Sequence, residues 1–253
     1  MFEYFHSSIQ SFTQALTHSS IQAIIQHINI SAYQRILALT LVTATWAAAL
    51  LLLLGDNTAG KVGAWLFFAA KGLIILLTLL ALLRNRGLAW QLFCSRYRFD
   101  TDHRHAYTQA VTRFTWELPQ LFLGYAIAQV RVLIGNVDRV DTLGGVTYVT
   151  SCHRKEHAYT GMSLGCYVQM WLPVEIKTDF EHYARHYAGR MLLHEYGHTF
   201  DSQRLGWLYL PVVGLPSLVS QWLELAGLFH HRHDNLFAER WANRHAAKHF
   251  DNV

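Results

Sequence analysis

Two long apolar runs dominate the pattern of this chain. Residues 37–54 are apolar except for Thr40, Thr43 and Thr45, and residues 62–83 are apolar except for Lys71 and Thr78. Each has about the length that a helix needs to cross a bilayer, roughly 20 residues. The stretch Gly55-Asp56-Asn57-Thr58-Ala59-Gly60-Lys61 between them is a compact polar turn. The pattern predicts a transmembrane helical hairpin over 36–84; two buried core helices are the alternative. Lys71 is costly within a span unless it faces protein or water. Ahead of the hairpin, Phe2, Phe5, Ile9, Phe12 and Leu16 recur at spacings of three and four, and Ile21, Ile24, Ile25 and Ile28 continue the series. Residues 1–35 therefore read as an amphipathic segment lying on the membrane or packed against the spans. They lack a positively charged start, and the first span lies too far in for a cleaved signal peptide.

Beyond residue 84 the period changes. Trp116 to Ile134 is apolar but interrupted by Gln129 and Arg131, which fits a buried helix or a third membrane-contacting one. Val137, Val140, Leu143, Val146, Tyr148 and Val149 sit among Asp, Thr and paired glycines, and Ser163 to Trp171 alternates more regularly; both read as short strands. Phe180 to Leu193 has helical spacing and no proline, and Leu205-Gly206 is a plausible helix end. Pro211, Gly214 and Pro216 prevent one regular helix from Trp207 to Leu218, which suits a re-entrant or membrane-surface segment. A last helix is expected over 234–248, capped by Asp234 or Asn235. The expected architecture is α+β, with a mainly helical domain and a small β-sheet over 85–253.

Composition supports a membrane protein. The 253 residues are 52% hydrophobic and 15% charged, where soluble domains carry about a quarter charged. The formal charge of +4 owes much to Arg35, Arg84, Arg86, Arg96 and Arg98 beside the apolar runs. By the positive-inside rule these put both termini, and the domain after the hairpin, in the cytoplasm of a plasma or bacterial inner membrane. No basic stripe with interleaved aromatics is present, so no nucleic-acid partner is expected. Cys94, Cys152 and Cys166 show no paired spacing and read as reduced thiols.

The candidate chemistry is His194-Glu195-Tyr196-Gly197-His198, an H-E-x-x-H motif. Residues i and i+4 share a helix face, so His194 and His198 can bind one zinc ion. Glu195 beside them is placed to take a proton from the attacking water. Gly197 leaves room for a close approach. A third ligand must come from elsewhere. Arg204 stands six residues after His198, where another class would have histidine, and Asp201 is better suited to orienting a ligand than to binding the metal. Glu239 and Asn243 share a face of the last helix: Glu239 could complete the set and Asn243 could orient a histidine, or Glu239 could pair with Arg240 on the surface. An exposed edge among the strands could pair with an extended substrate, and Ser163, Leu164, Gly165, Cys166 and Tyr167 are the candidates; an internal strand without substrate contact is the alternative.

HEYGH followed by Glu239-Arg240-Trp241-Ala242-Asn243 resembles the gluzincin pattern. The E-x-x-A-N string is similar to the E-x-x-A-D string of membrane gluzincins such as HtpX and the CAAX prenyl-protein proteases. The resemblance covers the two motifs and the general layout. It implies a zincin-like metallopeptidase with one zinc per chain on His194, His198 and Glu239, and Glu195 as general base. Asp201 falls where many of these enzymes carry an aspartate. Asn243 replaces the usual aspartate, keeping an acceptor but losing a charge. Gluzincins often stabilise the oxyanion with histidine or tyrosine, for which Tyr209, His230, His231 and His233 are the candidates. The expected substrate is a peptide or protein. An intramembrane site-2-type zinc protease and a non-catalytic, zinc-stabilised membrane sensor or scaffold are the rival readings.

Overall fold

The structure, a computed structural model, describes Ala32 and residues 34–152, 160–172, 175–186, 189–228 and 236–250. All but the end of the expected amphipathic segment 1–35 lies outside the described residues.

Both apolar runs are helices, α1 (Gln34–Leu54) and α2 (Thr58–Arg84), each long and apolar enough to cross a membrane. The polar exceptions are dealt with locally. Thr40 and Thr43 donate to the carbonyls of Ile36 and Leu39, and Thr45 to that of Val42, so none of these hydroxyls needs an outside partner. Asn57 caps α2 by accepting from the Ala59 and Gly60 amides. Trp46 packs on Phe67 and Phe68 at centroid distances of 5.6 and 5.5 Å, which ties the two helices together.

Asn85 reverses the chain. Its amide bonds to the Ala81 carbonyl and its side chain caps α3 (Arg86–Ser95) by accepting from Leu88. The second half of α2 is docked on the body: Ile74, Thr78 and Ala81 are buried, and Thr78 hydrogen-bonds to the Tyr125 hydroxyl of α5 (Leu118–Leu133) at 2.9 Å. Ile74 and Ala81 share one core with Leu92, Tyr125, Val132 and Val149. α2 and the elements that follow residue 84 thus share this core.

The sheet has four strands, β1 (Arg139–Leu143), β2 (Val146–Cys152), β3 (Thr160–Leu164) and β4 (Tyr167–Leu172), in the order β1-β2-β4-β3. β1–β2 and β3–β4 are antiparallel, and β2–β4 is parallel. Gly144 and Gly145 turn the first pair and Gly165 the second, all with positive φ. Alternation sends side chains to two cores. Val146, Tyr148, Val168, Met170 and Leu172 pack with α6 (Phe180–His186) and α7 (Gly189–Leu205); Val149 and Tyr167 pack with α2, α3 and α5.

The apolar stretch at 116–134 resolves as a buried helix of the body. α5 has 16 residues, too few to span, and the two polar residues that interrupt it are buried. Arg131 donates to the Val149 carbonyl (3.1 Å), Gln169 Oε1 (2.8 Å) and Ser151 Oγ (2.8 Å), and its guanidinium stacks 4.2 Å from the Trp171 ring centroid. It is the polar bolt between helix and sheet.

The expected continuous helix from Phe180 is described as α6 and α7, on either side of residues 187–188. α7 ends at Gly206, whose φ of +55° seats it under Trp116; the Trp116 indole donates to the Gln203 carbonyl (3.0 Å) and Gln120 to the Gly206 carbonyl (2.6 Å). A 3-10 turn (Gly206–Leu208) and a π-helical turn (Leu210–Gly214) then lead into α8 (Leu215–Leu225), and α9 (Phe237–Phe250) closes the fold. The break in regularity falls where the two prolines and Gly214 place it.

The helix α4 (His103–Arg113) is fastened through Asp100, whose carboxylate lies 2.6 Å from His105 Nδ1, while Gln109 and Arg113 donate to the Gly144 and Gly145 carbonyls. Burial pushes the Asp100 carboxyl up. The hydrogen bond and charge of His105, with the Asp102 and Thr101 amides, outweigh burial and hold it down at about 2, below the 3.8 of a free aspartate. A depressed folded-state value gives stability that is present above the unfolded value and is lost as pH falls towards 2. The contribution is about 2 kcal/mol. Asp100→Asn is expected to cost that much at pH 7 and almost nothing at pH 2, measured by denaturant unfolding at the two pH values.

Candidate metal centre

The centre is made where α7 meets α9. Gly197 of α7 faces Ala242 of α9 so closely that a Cβ on Gly197 would overlap the Ala242 carbonyl. Ala238, Ala242 and Ala246, four residues apart, are all buried on one side of α9; Ala242 meets α7 and Ala238 packs with Tyr209 and Val213. The Phe237–Trp241 face turns outward instead; Trp241 is 39% exposed. With helix backbones this near, side chains flanking the contact reach across it. Glu239 and Asn243 flank Ala242 on one helix, as His194 and His198 flank Gly197 on the other.

Three atoms converge. His194 Nε2 and His198 Nε2 lie 3.0 and 3.3 Å from Glu239 Oε2. A tetrahedral set with metal–ligand bonds of about 2.0–2.1 Å has ligand atoms about 3.3 Å apart. The remaining imidazole nitrogens are turned away from that point. His194 Nδ1 stands 3.0 Å from Asn243 Oδ1, and His198 Nδ1 3.4 Å from Asp201 Oδ2. Asn243 Oδ1 is placed to accept from His194 Nδ1–H and the Asp201 carboxylate to attract the Nδ1–H of His198, so that a bound cation would take the place of a proton on each Nε2. The second carboxylate oxygen of Glu239 accepts from Ser217 Oγ at 2.7 Å, fixing which oxygen faces the histidines.

Electrostatics follow from burial and pairing. Burial opposes the charge on His198, yet Asp201 and Glu239 raise it to about 10. His194 is raised for the same reason: hydrogen bonding to Glu239 outweighs burial. Burial also opposes the Glu239 charge, but the two histidines hold its carboxyl far below the usual carboxylate range. The carboxylate is anionic, and the cluster is organised to receive positive charge. The group His194, His198 and Glu239 could hold a metal ion, and two imidazoles with one carboxylate fit a divalent metal with an open position.

Glu195 is buried and points towards β3. Ser163 Oγ donates to Glu195 Oε2 at 2.5 Å and lies 2.9 Å from the Glu195 carbonyl. Gly161 lacks the Cβ that would collide with the Glu195 carboxylate. Glu195 also lies close enough for its charge to favour protonation of both histidines. Tyr209 is buried, and its hydroxyl donates to the Ser163 carbonyl at 3.0 Å, bracing the same strand.

The candidate edge strand divides. Ser163 and Leu164 belong to β3, which ends the sheet among the described residues. Gly165, with φ +60°, and buried Cys166 form the turn. Tyr167 opens β4, which lies between β2 and β3, so Cys166 and Tyr167 are not edge residues. The glycine breaks the alternation at the point where the sequence reads on through it. His230, His231 and His233 lie outside the described residues.

Several contributors escape sequence reading. Ser217 sits within an apolar run with no motif to mark it. His245 lies 2.9 Å from Asp201 Oδ1 and 2.6 Å from Arg204 Nη1, extending the chain of groups behind His198. A second His/Asp group, Asp100, His105 and His249, is a different case. Asp100 is already hydrogen-bonded to His105, and His249 stands 4.0 Å off, stacked on Tyr196. It fastens the end of α9.

Comparison of the chain with protein-family models, with curated proteins and with solved structures found no match.

Two substitutions test it. Asn243→Ala is expected to weaken divalent-metal binding about 10- to 100-fold by freeing the His194 ring, while Asn243→Asp should bind at least as tightly as the native residue; competition with a chromophoric chelator measures both. Gly197→Ala should force α7 and α9 apart, costing about 1–3 kcal/mol of stability and most of the bound metal.

Proposed function

We propose that the chain is a membrane-anchored, zinc-dependent endopeptidase of gluzincin type. The observation that carries the reading is the convergence of His194 Nε2, His198 Nε2 and Glu239 Oε2 beside a buried glutamate that is not part of the set. A purely structural site has no use for Glu195.

His194, His198 and Glu239 would hold the metal, which when bound supplies Lewis acidity towards water and the scissile carbonyl. Glu195 takes the proton from the attacking water and returns it to the leaving nitrogen. Ser163 holds the carboxylate in one rotamer through that exchange, and Gly161 makes the space for it. β3 lies against α7 at the end of the sheet, and an extended peptide would lie along it. Asn243 and Asp201 keep the imidazoles aligned.

The hairpin α1–α2 would anchor the enzyme, with the site on the cytoplasmic side as the arginines beside the spans indicate. One observation favours a substrate cut at or within the membrane, which brings in the intramembrane variant as a second reading. Leu215, Leu218, Val219 and Trp222 form an exposed ridge on α8, the helix that also carries Ser217. Trp207 and Leu208 of the 3-10 turn are exposed as well.

Protein purified with its metal is expected to contain about one zinc per chain. Glu195→Gln should retain that zinc and lower cleavage of a quenched fluorescent peptide library by about 10²–10⁴-fold. Cleavage at the native rate by this variant would favour the non-catalytic scaffold. Glu239→Ala should lose the zinc itself, and full retention would remove Glu239 from the ligand set.

A further inference from the structure

α8 has the reverse of the polarity that a helix on a water-facing surface has. Leu215, Leu218, Val219 and Trp222 recur at spacings of three and four and so share one face, and that face is exposed; Trp222 is 71% exposed. Ser217, Ser220, Gln221 and Glu224 share the opposite face, and each is partly buried. Ser217 shows where that face points, since its hydroxyl donates to Glu239 Oε1 at 2.7 Å. A surface helix in water turns its apolar stripe to the core and its polar residues outwards. Here the polar side is held against the body, and among the described residues no element covers the apolar ridge. That arrangement fits a helix whose surroundings are themselves apolar.

The run that contains α8 says what those surroundings are. Residues 205–223 include no charged residue and no histidine. Exposed Trp207 near its start and Trp222 near its end are residues that collect at membrane–water boundaries. The run also begins beside the hairpin. Gly206 sits under Trp116, just ahead of α5. α5 follows α2 in the same direction, with the Phe122 ring 4.4 Å from Lys71 Nζ and Tyr125 bonded to Thr78. Lys71 is midway along α2. Passing back along α5, from Tyr125 through Phe122 to Trp116, therefore leads away from the arginine end of α2 and towards its apolar middle. Whatever layer surrounds that middle also reaches the turn from which α8 leaves. With 11 residues α8 is too short to cross the layer, so it lies along it.

We propose that the outer face of α8 is a second bilayer-contacting surface of the chain, with Leu215, Leu218, Val219 and Trp222 among the acyl chains and Ser217, Ser220, Gln221 and Glu224 on the protein side. The ridge carries no cation, so it selects no headgroup. α8 is one helix thick, about 10 Å, and its inner face holds Glu239 through Ser217. The metal centre consequently stands at the lipid surface, and a peptide would reach it along the membrane plane. The inference rests on the membrane-anchored part of the proposed function and not on the peptidase part.

The test is photolabelling of the full-length protein in dioleoyl phosphatidylcholine vesicles that contain a phosphatidylcholine with an aryl diazirine at the end of one acyl chain. Lipid-bearing peptides are then located by mass spectrometry. α1 and α2 serve as the internal reference, and residues 175–179, with exposed Glu175 and Lys177, as the water-facing control. Residues 215–222 should carry at least about tenfold more label than the control, and as much when half of the bulk lipid is dioleoyl phosphatidylglycerol. The double variant Leu218→Gln, Trp222→Gln should lose most of the label on α8 and keep that on α1 and α2. Label on α1 and α2 with none above the control on α8 would overturn the proposal and leave the hairpin standing; a dimer by light scattering would then assign the ridge to a second copy of the chain. Absence of label from α1 and α2 as well would remove the membrane anchor and this surface with it. Peptide cleavage is recorded in the same vesicles, so that failure of the peptidase reading is seen separately. Should the double variant fail to fold, the label map of the native chain decides alone.

Discussion

The contact of α7 with α9 at Gly197 and Ala242 is the constraint on which the centre depends. Neither helix holds a complete donor set. His194 and His198 supply two nitrogens on one face, and only a helix at backbone contact distance brings the short Glu239 side chain to both. The small residues along the seam decide that distance. The groups behind the ligands then decide orientation, with Asn243 on one ring, Asp201 on the other and Ser217 on the carboxylate. Each acts on a different candidate ligand, so the three side chains are aimed independently and meet at one point.

The same economy holds the two halves of the chain together. α5 lies between the hairpin and the sheet, and its polar residues are its fasteners. Tyr125 bonds to Thr78 in α2, and Arg131 bonds across the sheet to Val149, Ser151 and Gln169. Polar residues in an apolar run look like interruptions, but here each is a joint between layers. The hairpin and the body consequently share a core, and the position of one fixes the other.

Much of this was legible in the residues. The apolar runs specify α1 and α2 because length and composition alone limit what they can be. The H-E-x-x-H spacing specifies a shared face, and the prolines with Gly214 specify an irregular segment. Local rules sufficed in each case. The placement of Glu239 was open on spacing, because a glutamate beside an arginine is equally at home on a surface; only the tertiary contact at Gly197 separates the two readings. The role of α5 was open for a related reason, since its buried arginine has partners 18 to 39 residues away in the chain. Ser217 and His245 had no local signal, as their partners come from other helices. The edge strand was read past Gly165 because alternation carries on across a turn even though the sheet does not.

Ser163 gives the arrangement a mechanical character. Its hydroxyl touches both the carbonyl and the carboxylate of Glu195, and its own carbonyl is held by Tyr209. Ser163 alone links β3 to the Glu195 carboxylate in these contacts. Whatever straightens or shifts β3 is therefore transmitted to Glu195 directly, as a lever moves what it is pinned to. A peptide laid along that strand would be gauged by how well it sets the lever, so that discrimination between good and poor substrates would register in the speed of turnover as well as in the tightness of binding.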